Sequence, residues 1–443
     1  MRYLMTALAS ILMFGHTDAE QINVQFLRYA GWSPDGEYLL VVDEGSGLRL
    51  FDRNQELTFH DESGFVLPSS ESEALHIFSS DSRYFTYHQR IQSGETYEQR
   101  VMLVDLEREL QVSELAINSL ATFSAGGRYL AITDSVRQIA LYELETGGVT
   151  QTFTIDETET LATSGDRTPS LYGIRFSADD RYLAAFGGLQ PRTGLDNITQ
   201  EMVYIQLGDT STGENLWQQQ IMGEGAVDQA WFVQGDEPAF VTVSGEALVA
   251  ARDLGTQVAV MRFWDITSGE TMHRLDVGRT LARSSEGHYV VSANHTGEAA
   301  RVLSLDDRRT IATISDQSQS LWIDLSQDGN VALLVTAPLT DVPPEMLLWQ
   351  EDSGMSRVPA SHPAALSPDG HYLVTGGGAY TTDGSPFRWS RSDDVVRLWD
   401  TATGTLITDE LTEIIEVDQM VFSPDSTHLL IIAEGVLQVV SIP

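Results

Sequence analysis

Along this chain short apolar runs alternate with polar turns in one recurring order. An apolar run enters a turn of the Ser-Pro-Asp-Gly type, a second apolar run follows, and a third ends near Asp. Ala364-Ala365-Leu366 leads into Ser367-Pro368-Asp369-Gly370, then come His371 to Thr375, Val395 to Trp399 and a turn from Asp400 to Gly404. In that last turn Asp can accept from the backbone ahead of it and Gly can take positive φ. The same turn recurs at Asp265 to Gly269 and Asp209 to Gly213, and more loosely at Glu143 to Gly147. The first turn is anchored at Ser33, Ser79, Ser124, Ser177, Val233, Ser284, Ser326, Ser367 and Ser423, a mean spacing of about 49 residues that suits a four-stranded unit with loops. Units of this size cannot bury their apolar faces alone and must stack on neighbours. The spacing predicts an all-β chain folded as a single β-propeller of eight or nine four-stranded antiparallel blades.

The last unit ends at Val439 to Ile442 with no room for an outer strand, and Ile22-Asn23-Val24-Gln25 is the segment expected to supply it and lock the ring. The unit around Val233 is the weakest and is expected to be irregular. Ahead of the ring, Met1-Arg2, an apolar run from Tyr3 to Gly15 and Thr17-Asp18-Ala19 before Glu20 have the layout of an export signal cleaved after Ala19. The run is too short for a spanning helix of about twenty residues. The expected division is therefore a signal peptide over 1–19 and a propeller over 20–443, periplasmic or secreted, with no insertion into the membrane.

The motifs resemble those of the WD40 family. Val396-Arg397-Leu398-Trp399-Asp400, Arg262-Phe263-Trp264-Asp265 and Leu48-Arg49-Leu50-Phe51-Asp52 each follow a Ser-Pro-Asp-Gly-type turn, and the resemblance covers about residues 22 to 443. It implies a binding scaffold of WD40-like fold. The Gly-His dipeptide of that family does not precede any first strand, and Trp fills the Trp-Asp position only at Trp264 and Trp399. The turn is also similar to that of the bacterial Tol-Pal propeller, which works outside the cytoplasm, so the resemblance is to an exported bacterial type.

Charge narrows the partners. The chain carries 64 acidic and 26 basic residues, a net charge of −38, and contains neither Lys nor Cys. Such an excess repels nucleic acid and anionic lipid, which are held through cationic side chains. It fits a protein kept soluble in salty surroundings, or simply a composition biased towards Arg. Without Lys there is no P-loop and no Schiff base, and without Cys no thiolate nucleophile or Cys-ligated metal. No Gly-x-Ser-x-Gly elbow, His-Glu-x-x-His or calcium loop is present. No cofactor or metal is expected.

Insertions suggest where binding occurs. In a WD40-like blade the loop from second to third strand and the link to the next blade open on one face. The long segments Gln89 to Arg100, Gly187 to Glu201, Gly245 to Gln257, Gly376 to Asp394 and Asp156 to Ser170 all fall there. They carry Tyr380, Phe387, Arg388, Trp389 and Arg391 on the longest, and Tyr97, Arg100, Arg167, Arg192 and Arg252 on the others. Arg, Trp and Tyr are enriched at binding hot spots. These ten are the candidate contacts for a protein or peptide partner, unless Phe387 and Trp389 merely pin their loop to the ring. His288, His371 and His428 sit beside the Ser-Pro-Asp-Gly turns on the opposite face and read as solvated turn residues. The expectation is a monomeric, non-enzymatic scaffold; the alternative is a propeller enzyme, hydrolase or lactonase-like, with its site at the central channel.

Overall fold

A computed structural model describes residues 22–443 except 25–26, 45, 63–64, 67–76, 94–95, 109–110, 118–119, 135–137, 156–169, 190–201, 223, 235–236, 247–257, 279, 285–286, 294–299, 316–317, 339–343, 383–388, 410, 413, 415 and 434. The expected signal over 1–19 lies outside the described residues. Among the described residues there are nine four-stranded antiparallel sheets and one two-stranded sheet. Blade 1 runs Leu27–Trp32, Tyr38–Asp43, Gly47–Asp52 and Leu57–Asp61 from its inner to its outer strand. Blades 2 to 9 begin at Phe65, Ala121, Ser170, Glu224, Thr280, Ser318, Ala364 and Val417. These nine four-stranded sheets are the blades of a β-propeller. No helix of the described residues is long and apolar enough to cross a membrane.

The strand pattern follows from where each strand lies. Second strands are covered on both faces by neighbouring blades and therefore read as unbroken apolar runs, as in Leu39-Leu40-Val41-Val42 and Leu429-Leu430-Ile431-Ile432. Outer strands have a wet edge, and Leu57, Val149, Leu216, Met355, Leu406 and Ile407 on them remain exposed. The apolar clusters lie between blades: Leu39, Val41 and Phe51 of blade 1 pack with Leu430, Ile432 and Leu437 of blade 9.

Blade 9 is completed by the N-terminus. Its order from the inside is Val417–Phe422, His428–Ala433, Val436–Ser441 and then Ile22–Asn23, with Ile22 opposite Leu437 and Asn23 opposite Val436. The Val24 N–H donates to Gly435 O at 3.2 Å, and Ile22 and Val24 are buried in the seam. On the turn face Arg53 of blade 1 reaches Asp425 of blade 9 at 2.7 Å. The weak unit around Val233 is a full blade, whose inner strand Glu224–Val233 absorbs its poor motif in two register shifts. The segment from Gln89 to Arg100 also differs from a loop. Its ladder continues from Gln89↔Arg100 to Ser93↔Thr96, because a polar hairpin can extend a sheet beyond the apolar ring without burying anything.

The recurring turn is a closed hydrogen-bond unit. Ser33 Oγ donates to Asp35 Oδ1 at 2.6 Å and accepts from the Tyr38 N–H at 2.9 Å, while Asp35 Oδ1 accepts from the Glu37 N–H at 3.0 Å. The fourth turn residue is left-handed: Gly36, Gly127, Gly287, Gly329 and Gly370 have φ between 68° and 80°. Three units place Ser82, Asp180 and Ser426 there at 58°, 59° and 61°. Each of these side chains accepts a backbone N–H from the preceding blade's turn: Ser82 Oγ from Asp35 at 3.0 Å, Asp180 Oδ1 from Gly126 at 3.0 Å, Ser426 Oγ from Asp369 at 3.2 Å. A left-handed side chain costs about 1 kcal/mol, similar to what one buried hydrogen bond contributes.

Ser82→Ala keeps the strain and loses the bond, whereas Ser82→Gly loses both. Urea unfolding is expected to show Ser82→Ala destabilised by about 1–2 kcal/mol and Ser82→Gly by clearly less. Equal losses would show that the left-handed conformation carries no strain for glycine to relieve, and no loss in Ser82→Ala would show that the blade-to-blade bond contributes nothing.

Candidate binding face

Five of the ten nominated contact residues, Phe387, Arg388, Arg167, Arg192 and Arg252, lie outside the described residues. Two take ladder positions: Tyr97 faces Gln92 in the blade 2 hairpin, and Trp389 faces Thr382 in the blade 8 insertion. Arg100 stands half-buried opposite Gln89 on one side and Ile117 on the other. Tyr380 and Arg391 are brought together, directly opposite each other across a hairpin of Tyr380–Thr382 and Trp389–Arg391.

This hairpin is a second sheet standing on blade 8, inside the Gly376 to Asp394 insertion. Its root is tightly fixed. The Ser361 N–H donates to Gly377 O at 3.2 Å, the Gly378 N–H to Asp393 O at 3.2 Å and the Ser392 N–H to Ala379 O at 3.0 Å. The glycines allow this approach: a Cβ on Gly377 would lie 2.6 Å from Arg391 Cδ and 2.7 Å from Ser361 Oγ. Below the hairpin both nitrogens at the tip of Arg397 grip Asp393, at 2.7 and 3.0 Å. That bond to Arg397 holds the Asp393 carboxyl down at about 2.

Tyr380 packs on the blade 7 core that contains Met346, Val358 and Ala360, and its hydroxyl accepts the His362 backbone N–H at 3.2 Å. Burial raises its pKa. Arg391 Nη1 donates to Gly376 O at 3.2 Å and lies 3.5 Å from Asp394. Tyr380 thereby fastens the hairpin to the ring, and Arg391 ties it to the two ends of its own insertion. Sequence reasoning missed two neighbours. Trp322, on the inner strand of blade 7, meets His362 edge to face with centroids 5.2 Å apart. The only sequence signal was a large aromatic on an inner strand; His362 lies in an inter-blade link that carries no repeat signature.

Two WD40-type features are present in part. Trp264 Nε1 donates to Thr242 Oγ1 at 2.9 Å and Trp399 Nε1 to Thr375 Oγ1 at 3.0 Å, linking third to second strand in the two blades that have the Trp-Asp pair. Asp265 and Asp400 cap the turns that follow them, accepting the N–H of Ser268 and of Thr403, both at 2.7 Å. On the opposite face His288 pairs with Asp306 at 2.8 Å and His428 Nδ1 lies 2.8 Å from the Thr427 hydroxyl. Among the described residues no three His, Asp or Glu converge as a metal site.

The inner strands hold one carboxyl in an unusual state. Asp324 accepts the Leu325 N–H at 2.9 Å and, across the seam, the Leu366 N–H of blade 8 at 3.0 Å. Burial pushes its pKa up to about 6, against the pull of those two donors.

Comparison with known proteins places the architecture. No family model and no curated protein sequence matches the chain. Among solved structures, the crystal structure of a eukaryotic initiation factor superposes with a TM-score of 0.57 at 11% identity, covering 94% of this chain and 92% of that one. The Dos1 propeller gives 0.49 at 15% identity over 96% and 95% of the two chains. The C-terminal WD40 domain of Sif2 gives 0.48 at 11% over 95% and 97%. At these identities the first of them shows the fold alone.

Asp324→Asn yields a test by pH. A carboxyl whose folded pKa lies above its unfolded value of about 3.9 weakens the fold as pH rises through that interval. Asn cannot ionise, so the variant should gain stability relative to the parent between about pH 4 and pH 6 in urea titrations. A difference that stays constant with pH would mean that Asp324 titrates normally.

Proposed function

We propose that this chain is an exported propeller scaffold of bacterial type, which binds a protein or peptide partner through the face that carries its insertions and is not an enzyme. The carrying observation is the blade 8 insertion. Its longest loop is built as a separate sheet, fixed to the ring by Tyr380 and by the bond from the Ser361 N–H to Gly377 O. A loop length that merely drifted has no need of such a root, while a contact surface gains from being held rigid before binding. The ten-residue strands of blade 2 rise on the same face and broaden it. Export is supported by the residue pattern of Met1 to Glu20, and a net charge of −38 weighs against nucleic acid.

Enzymatic action in the channel, as a hydrolase or lactonase-like protein, is the second reading, and Asp324 speaks for it. A carboxyl of raised pKa on an inner strand is the kind of group that general acid chemistry uses. Its two acceptor bonds to the backbone give it a structural task instead, which favours the scaffold.

Replacing residues 381–390 with Asn-Gly leaves Tyr380 and Arg391 joined by a two-residue hairpin turn. The shortened protein should unfold at the same urea concentration as its parent and lose the saturable partner that the parent retains from an envelope and secreted extract at low and high salt. Retention of that partner by the shortened protein would remove the insertion from the binding face.

A further inference from the structure

Four side chains meet where the link between blades 7 and 8 runs beneath the hairpin. Trp322 and His362 form an edge-to-face pair, the His362 N–H joins Tyr380, and Arg391 faces Tyr380 across the hairpin. Each of Tyr380, Arg391 and His362 has an unused donor. The Tyr380 hydroxyl already accepts, so its own hydrogen is available. Arg391 donates through Nη1, and Nε and Nη2 make no hydrogen bond among the described residues. The His362 ring has its contact with Trp322 and no hydrogen bond among those residues. Burial first, and then the charge of Arg391, lowers its pKa, so it is neutral near pH 7 and still offers an N–H.

Nearby acceptors are already engaged. Asp393 is held by Arg397, and Asp324 by two backbone N–H groups. Asp394 comes within 3.5 Å of Nη1 of Arg391, and Nε and Nη2 make no hydrogen bond among the described residues, which leaves the edge of the guanidinium that suits a planar two-oxygen acceptor. Tyr380 is paired with Arg391 across the hairpin and joined to His362 and Trp322, and all three rings are partly exposed. In a chain with 64 acidic residues, a cluster of donors with aromatic walls is a place for a negative group from outside.

We propose that Arg391, Tyr380, His362 and Trp322 form a subsite for a peptide carboxylate borne next to an aromatic or apolar side chain. It rests on the scaffold reading of the same face and names the chemistry that the partner must present. The carboxylate belongs either to a chain end or to an acidic side chain; both present the same two oxygens.

The test follows the histidine ring resonances of the chain from Glu20 to Pro443 by NMR, with His362→Gln used to assign His362. The probes are N-acetylphenylalanine, with its carboxylate at a chain end, N-acetyl-aspartyl-phenylalaninamide, with it on a side chain, and N-acetylphenylalaninamide, with none. At least one of the two acids should shift the His362 signals saturably, and the stronger of them identifies the source. The amide should leave them in place. Arg391→Gln should weaken the response about tenfold or more. Arg391→Lys keeps the charge without the fork; it should weaken binding while unfolding in urea as the parent does, and it carries the test if Arg391→Gln does not fold. Arg301→Gln, exposed elsewhere, should bind as the parent does. An equal response to the amide, no response to either acid up to about 20 mM, or binding indifferent to both Arg391 variants would overturn the subsite. If Arg391→Gln captures the partner that the shortened hairpin has lost, the carboxylate subsite falls and the scaffold stands.

Discussion

Burial on both faces of the second and third strands governs this molecule. Leu40, Val41 and Leu50 of blade 1, like Leu429 to Ile431 of blade 9, are essentially inaccessible only because another blade lies on either side. A single blade would leave two apolar faces wet, so the sheets are stable as a closed ring or not at all. Closure falls to a short piece of chain. Ile22 and Asn23 make the ladder, and Ile22 and Val24 fill the seam between Leu39, Val41, Leu430 and Ile432. Contact in that seam, more than the few ladder bonds, joins the two ends of the chain.

The two faces of the ring have different freedom for the same reason. On the turn face, blades are tied at fixed points: Asp35 to Ser82, Gly126 to Asp180, Asp369 to Ser426, Arg53 to Asp425. Changing the length of one turn there would break bonds to a neighbour as well as within its own unit. Among the described residues the second-to-third connections show no such repeated tie, and they lengthen into the blade 2 hairpin and the blade 8 sheet. Insertions gather where the ring tolerates them, and the rooted one carries the proposed binding site.

Much of the ring was legible in the sequence because its signals are local. The Ser-Pro-Asp-Gly turns, the Asp-capped turns after the third strands and the spare strand at Ile22 each need only a few adjacent residues. Glycine's preference hid one device: Ser82, Asp180 and Ser426 look like degraded copies of a glycine, yet each reaches the neighbouring blade. The strand from Gln89 onwards reads as loop because its residues are mostly polar, and backbone pairing away from a core leaves no apolar alternation. At the candidate site, Tyr380 and Arg391 were visible as an aromatic and a cation in an insertion, but not their inward contacts. His362 and Trp322 are forty residues apart and meet only because blades 7 and 8 are adjacent. No local pattern encodes such a meeting.

A net charge of −38 surrounds this site, which makes its cluster of unused donors unusual within the molecule. The account stands on the claim that the partner sits on the insertion face. Hydrogen–deuterium exchange with and without the captured partner tests this most directly. Protection is predicted over Gly376 to Asp394 and Gln89 to Arg100, with the Ser-Pro-Asp-Gly turns unchanged. Protection confined to those turns, or to the inner strands along the channel, would contradict it.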